Sequence, residues 1–122
     1  MNHHAKSIRT FIGARNFDIS RRFYQALGFE EVIISKNMSL FRTGDLGFYL
    51  QDAYVKDWVN NTMIFLEVAN VQEHHSKVMN LELTKAFPGV RISAIKLNDW
   101  GKEYFVHDPS GILWHFGSFN QI

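Results

Sequence analysis

The chain has 122 residues, 46% of them apolar and 20% charged, with a net charge of +1 and no cysteine. That length fills one domain and is too short for two ordinary ones. The balance excludes disordered and membrane classes, a basic nucleic-acid face, a disulfide framework and any thiolate site. No apolar run approaches the roughly 18–20 residues of a membrane span, and no signal-peptide pattern opens the chain, so a cytoplasmic protein without membrane or nucleic-acid partners is expected.

From Ile8 to Ala14, Ile8, Thr10, Ile12 and Ala14 alternate with Arg9, Phe11 and Gly13, which predicts a strand beginning near Ser7–Arg9. Asn16 or Asp18 can cap a helix whose apolar face is Ile19, Phe23 and Leu27, and Gly28 stands where a left-handed terminating residue is wanted. Three strands are expected at Phe29–Ser35, Ser39–Arg42 and Leu46–Gln51, separated by the turn signals Lys36-Asn37 and Thr43-Gly44-Asp45. Residues 52–61 carry no clear period and read as a linker.

The pattern then repeats. Thr62–Val68 reads as a strand, Asn70 takes the place of Asn16, and Val71, His75, Val78 and Met79 mark a helix ending near Leu81–Leu83. Val90–Leu97, Lys102–His107 and Ile112–Gly117 complete a second βαβββ unit. The chain is therefore a single domain over 1–122, with module one at about 7–52, a linker at 53–61 and module two at about 62–119. Neither half has enough apolar area to stand alone. The expected fold is α+β: two βαβββ modules pairing into a curved mixed eight-strand sheet around a cleft, with the helices outside. Eleven Phe, four Tyr and three Trp exceed what so small a core requires, so some should line a cavity.

A paired βαβββ frame with Phe23-Tyr24-Gln25-Ala26-Leu27-Gly28-Phe29 closing the first helix and Asp108-Pro109-Ser110-Gly111 before the last strand resembles the vicinal oxygen chelate superfamily. That superfamily includes glyoxalase I, fosfomycin resistance proteins, extradiol dioxygenases and bleomycin resistance proteins. The resemblance runs from Ile8 to Phe119, and within it Trp100-Gly101, Lys102-Glu103-Tyr104 and His115-Phe116 look most like the bleomycin resistance branch.

The resemblance implies where a metal would sit in the metal-dependent members: on the first strand of each module and on the last strand. Carried over, those positions are Arg9, Met63 and His115, with Tyr49 as a fourth pocket position. A guanidinium has no lone pair to give, and a thioether is a poor partner in an oxygen and nitrogen site. One imidazole remains where about three protein ligands are needed. No metal and no other cofactor is expected, nor the chemistry that depends on one.

Alternation puts Arg9, Phe11 and Gly13 on the cleft face of the first strand, and Met63, Phe65 and Glu67 on that of the fifth. Phe11 and Phe65 either pack across the sheet or touch ligand. Glu67 needs a partner, and Arg9 is the candidate, as an ion pair or as a charge pair reading a polar ligand. On the last strand Ile112, Trp114 and Phe116 face the core, which leaves His115 facing the cleft as a hydrogen-bonding group, or else bonded within the sheet. Trp100 lies in a loop, as a lid or a dimer contact; the resemblance implies a ligand stacked between aromatic rings in a groove between two subunits. His74 and His75, adjacent on a helix, read as surface or staple residues, and His107 as solvated. Asp108 and Pro109 read as turn formers.

The functional expectation is a non-catalytic protein that binds and sequesters a small, antibiotic-type molecule, as a homodimer, through Arg9, Phe11, Tyr49, Met63, Phe65, Glu67, Trp100 and His115. A pI of about 8.1 suits an anionic or neutral ligand better than a cationic drug. The alternative is a metal-dependent lyase or dioxygenase of the glyoxalase type, in which Glu67, His115 and Tyr49 hold an ion.

Overall fold

A computed structural model describes residues 1–121. The chain forms β1 (Phe11–Gly13), α1 (Phe17–Ala26), β2 (Glu30–Ser35), β3 (Met38–Thr43) and β4 (Leu46–Gln51), then a short α2 (Lys56–Asn60). There follow β5 (Met63–Glu67), α3 (Val71–Asn80), α4 (Leu83–Ala86), β6 (Arg91–Ile92), β7 (Lys96–Asn98), β8 (Gly101–His107) and β9 (Leu113–Phe119). The strands lie in two sheets. The first runs β1-β4-β3-β2, and the second β5-β9-β8-β6 with β7 also paired to β8. In each, the first strand of the module runs parallel to the last: Phe11 meets Tyr49, and Met63 meets Leu113.

The two long helices begin alike because the same residue caps both. Asn16 accepts from the Ile19 N–H at 3.1 Å, and Asn70 from the Glu73 N–H at 2.9 Å. Gly28, at φ 101°, ends the first by taking the left-handed conformation. From α1, Phe23 and Tyr24 are buried; Tyr24 packs on Phe29 and on Phe41 and Phe48 of the first sheet, and also meets Trp114 of the second. Tyr104 and Phe116, on the second sheet, pack beneath α3 at His74 and His75. One core, with Trp114 near its middle, thus spans both modules.

The α+β frame of two matched modules is the expected one, with differences in detail. Strands number nine among the described residues, one more than the eight expected, and the paired modules form two sheets of four and five that share no ladder. The expected strand Val90–Leu97 is broken: Ser93 turns its hydroxyl to accept from the Phe105 N–H at 2.8 Å, which takes the donor a ladder partner would use. Residues 52–61 are not plain linker, because Lys56–Asn60 is helical and Val59 buries to 2% exposure. The first strand begins later than expected, and Ile8 is 98% exposed.

Several polar contacts join the modules at one end. The Tyr24 hydroxyl donates to Asp108 Oδ2 at 2.6 Å while accepting from Trp114 Nε1 at 2.9 Å. The Arg15 N–H donates to the Ser110 hydroxyl at 2.9 Å. Asp108 Oδ1 accepts the N–H groups of Ser110, Gly111 and Ile112, so the turn-forming role read from the sequence is what the structure shows. Burial pushes the Asp108 carboxyl up from the usual range, against the pull of Tyr24 and of these three donors.

Candidate functional site

Because the helices cover one face of each sheet, the opposite faces are open, and the predicted site residues lie on them in two groups. On the first sheet, Arg9 Nη1 donates to the Tyr49 hydroxyl at 3.1 Å and its guanidinium carbon lies 5.7 Å from the Tyr49 ring centre. Phe11 stacks on Tyr49 at 4.9 Å and 26°. Arg9 Nε is buried without a hydrogen-bond partner. A buried donor left unpaired costs about 1–3 kcal/mol, which makes this a place where an acceptor would be gained rather than exchanged.

On the second sheet Phe65, Trp100 and Phe119 form an exposed aromatic group. Trp100 lies 5.1 Å from Phe119 and 5.8 Å from Phe65, and the turn carrying it is pinned by Asn120, whose N–H donates to the Trp100 carbonyl at 2.8 Å. Phe65 lies across Gly117; a Cβ there would come within 2.8 Å of the ring. Next to it stands His115, 6.4 Å from Phe65 and edge-to-face with Phe105 at 4.9 Å. Its Nδ1 meets Glu103 Oε1 at 2.9 Å, and Glu103 Oε2 accepts from Asn98 at 2.8 Å. Met63 and Glu67 are exposed on the same face. His107 is half-buried there rather than solvated, and burial, then the Arg91 charge, hold its pKa below the usual imidazole value.

Among the described residues no hydrogen bond, ion pair or ring contact joins the two groups. Arg9 does not pair with Glu67, contrary to the sequence expectation: Arg9 is engaged by Tyr49, and the exposed Glu67 carboxylate is left to solvent. Arg9 lies just before β1, at one edge of the first sheet, and Glu67 on β5, at one edge of the second, and strand parity could not reveal that separation. A cavity of about 580 Å³ does lie between the modules, floored by Phe29, Phe48 and Trp114, with Phe65 and Glu67 in its wall. Arg9, Tyr49, Trp100 and His115 are not part of it.

Sequence reading missed Glu103, Asn98 and Phe119. Glu103 falls on the open face by alternation along β8, where a carboxylate only 8% exposed signals a partner. His74 and His75 are staples: His74 Nδ1 meets the Tyr104 hydroxyl at 2.6 Å and His75 Nε2 the Ser93 carbonyl at 2.9 Å.

The positions that would carry a divalent ion do not fit one. Arg9 brings a cation bonded to Tyr49, Met63 is 65% exposed with only a thioether to offer, and His115, whose Nε2 lone pair is free among the described residues, is one ligand where about three are needed. The set Glu67, His115 and Tyr49 is not assembled, since Tyr49 is with Arg9 and Phe11 on the other sheet.

No protein-family profile and no curated protein sequence matches the chain. Solved structures do. A bleomycin-binding protein complexed with bleomycin superposes with a TM-score of 0.78 at 21% identity, covering 95% of this chain and 100% of that one. An antibiotic-binding protein from Streptomyces sp. gives 0.75 at 13% identity, over 98% of this chain and 100% of that one. A lactoylglutathione lyase from Agrobacterium tumefaciens gives 0.71 at 17% identity, over 93% and 94%. The fold is therefore the one shared by these bleomycin-binding, antibiotic-binding and lyase structures.

Proposed function

We propose that the protein binds a medium-sized, partly aromatic molecule without transforming it, and acts by sequestering it from solution. The observation that carries this reading is the exposed Phe65, Trp100 and Phe119 group standing beside His115. Aromatic side chains of this size are ordinarily buried; three left together at the surface with a hydrogen-bonding group beside them suit a flat ring that stacks and is then oriented. The structural neighbours described as bleomycin-binding and antibiotic-binding support the same reading at the level of fold.

The working unit we infer is a cytoplasmic homodimer. Arg9, Phe11 and Tyr49 form one small surface and Phe65, Trp100 and His115 another, and one chain does not bring them together. A second copy that sets its first sheet against this chain's second would enclose a ligand between both surfaces and cover Phe11, Met63 and Phe119, which are 54%, 65% and 55% exposed. Arg9 then suits an anionic or acceptor group on the ligand.

Light scattering at micromolar concentration, combined with a mixing experiment, tests this. Arg9→Ala and Trp100→Ala chains, each weak in binding alone, should regain one good site per dimer when mixed. A monomer with undiminished binding of aromatic probes sinks the dimer, and wild-type protein that quenches with no aromatic compound sinks the binding reading.

A further inference from the structure

Binding at the aromatic surface of the second sheet leaves one question of chemistry: which polar group does the site accept beside the ring? The answer turns on which nitrogen of His115 carries the hydrogen. Glu103 sits on β8 and His115 on β9, and both carboxylate oxygens of Glu103 are taken, Oε1 by His115 Nδ1 at 2.9 Å and Oε2 by Asn98 Nδ2 at 2.8 Å. A carboxylate only accepts, so the hydrogen of a neutral ring lies on Nδ1 and the lone pair on Nε2. The Asn98 bond keeps the carboxylate from swinging away, and Phe105 and Phe65 hold the ring between them. Nε2 has no protein partner among the described residues, and 22% of the side chain is exposed.

We propose that Glu103 is a positioning residue that holds His115 as the Nδ1–H tautomer, so that the site selects flat aromatic molecules bearing an O–H or N–H donor over the same rings bearing only an acceptor. The inference rests on the binding reading above and adds to it the class of ligand. With the hydrogen on the other nitrogen, His115 would donate and the preference would reverse. An acceptor-only ring placed against Nε2 leaves the two lone pairs facing each other, and discrimination of that kind is stronger than a hydrophobic pocket achieves by shape. The donors of Arg9 lie on the other sheet and ask for an acceptor, so the two surfaces read opposite kinds of polar group.

The test uses full-length protein held at one pH, and the imidazole ¹⁵N shifts report the protonation of the ring directly. Imidazole ¹⁵N shifts should show His115 with hydrogen on Nδ1 in wild type and in Glu103→Gln, whose amide oxygen still accepts, but not in Glu103→Leu. By Trp fluorescence quenching, wild type should bind 2-naphthol at least about fivefold tighter than 2-methoxynaphthalene. Glu103→Gln should keep that preference, and Glu103→Leu and His115→Phe should lose it; should Glu103→Leu fail to fold, His115→Phe carries the comparison. A wild-type ring with hydrogen on Nε2, equal affinity for both naphthalenes, or a preference that survives in the folded Leu or Phe variants overturns the proposal while the binding reading stands. If neither naphthalene binds wild type, the binding reading falls and the selectivity with it.

Discussion

Tyr24 and Asp108 meet through a 2.6 Å hydrogen bond although 84 residues separate them, tying the first helix of module one to the last turn of module two. Tyr24 is fully buried and Asp108 is 1% exposed, so neither has water to fall back on. Tyr24→Phe should cost about 1–3 kcal/mol, because it orphans the Trp114 indole N–H as well as one oxygen of Asp108. Asp108→Ala should cost more, since three backbone N–H groups then lose their acceptor, while Asp108→Asn keeps an oxygen for them and should fall between wild type and Ala. Urea midpoints at constant m-value measure all three; a Tyr24→Phe protein as stable as wild type would refute the tie.

Acid should weaken the fold through Glu31. Burial alone would raise this carboxyl, yet hydrogen bonds from Arg21, Ser39 and Gln25, with the Arg21 charge, bring it below the usual range. A carboxylate whose folded pKa is depressed stabilises the protein above its unfolded value and loses that contribution as pH falls through the folded one. The stability advantage of wild type over Glu31→Gln should therefore be full at neutral pH and shrink as pH drops below about 4. Asp108 is shifted the other way, so the gap between wild type and Asp108→Asn should change with the opposite sign. Denaturation at several pH values checks both slopes.

Trp100→Ala should separate binding from folding. The ring is 37% exposed and rests on Phe65 and Phe119 rather than in the core, so the melting temperature should move little. Binding of a stacked aromatic probe should weaken by about 1–3 kcal/mol, the usual loss on truncating an aromatic anchor. A variant that unfolds while wild type binds nothing would make Trp100 a structural residue.

Gly117→Ala tests the same surface from beneath. The added methyl would approach Phe65 to 2.8 Å and the Lys102 carbonyl to 3.1 Å, so the Phe65 ring must leave its place. A stability cost of about 1–3 kcal/mol is expected from overpacking, together with loss of aromatic-probe binding in the folded fraction. Intact binding would show that the position of Phe65 is immaterial.

Elemental analysis of protein dialysed without chelator should find far less than one divalent ion per chain, and EDTA should leave the melting temperature unchanged. One ion per chain that persists in wild type and vanishes in His115→Ala would favour the metal-dependent lyase or dioxygenase.

What the sequence revealed was local. Asn16 and Asn70 announce their helices because an Asn cap bonds within its own turn, and alternation places His115 opposite Trp114 because strand parity needs no partner. What stayed hidden was relational. The bond between Glu103 and His115 depends on the register of β8 against β9, the break at Ser93 on a hydroxyl meeting a neighbouring strand, and the separation of Arg9 from Glu67 on how two sheets sit about one core. A helix as short as Lys56–Asn60 leaves too few residues for a period to show.

The parallel pairing of β5 with β9 bears on how the chain emerges from a ribosome. Module one can lay β4 beside β1 as soon as its own hairpins exist, but β5 must wait for the strand that follows all others, leaving Ile64 and Leu66 without their neighbours Trp114 and Phe116 throughout the synthesis of module two. Those same two residues of β9 are core residues, and Trp114 is also the cover over Tyr24. The nascent first module is therefore a sheet and a helix with an open aromatic floor, and completing one strand closes the second sheet and seals the first module in a single event. Folding should accordingly show one late cooperative step rather than two independent ones, with module one alone sticky and prone to associate until β9 arrives.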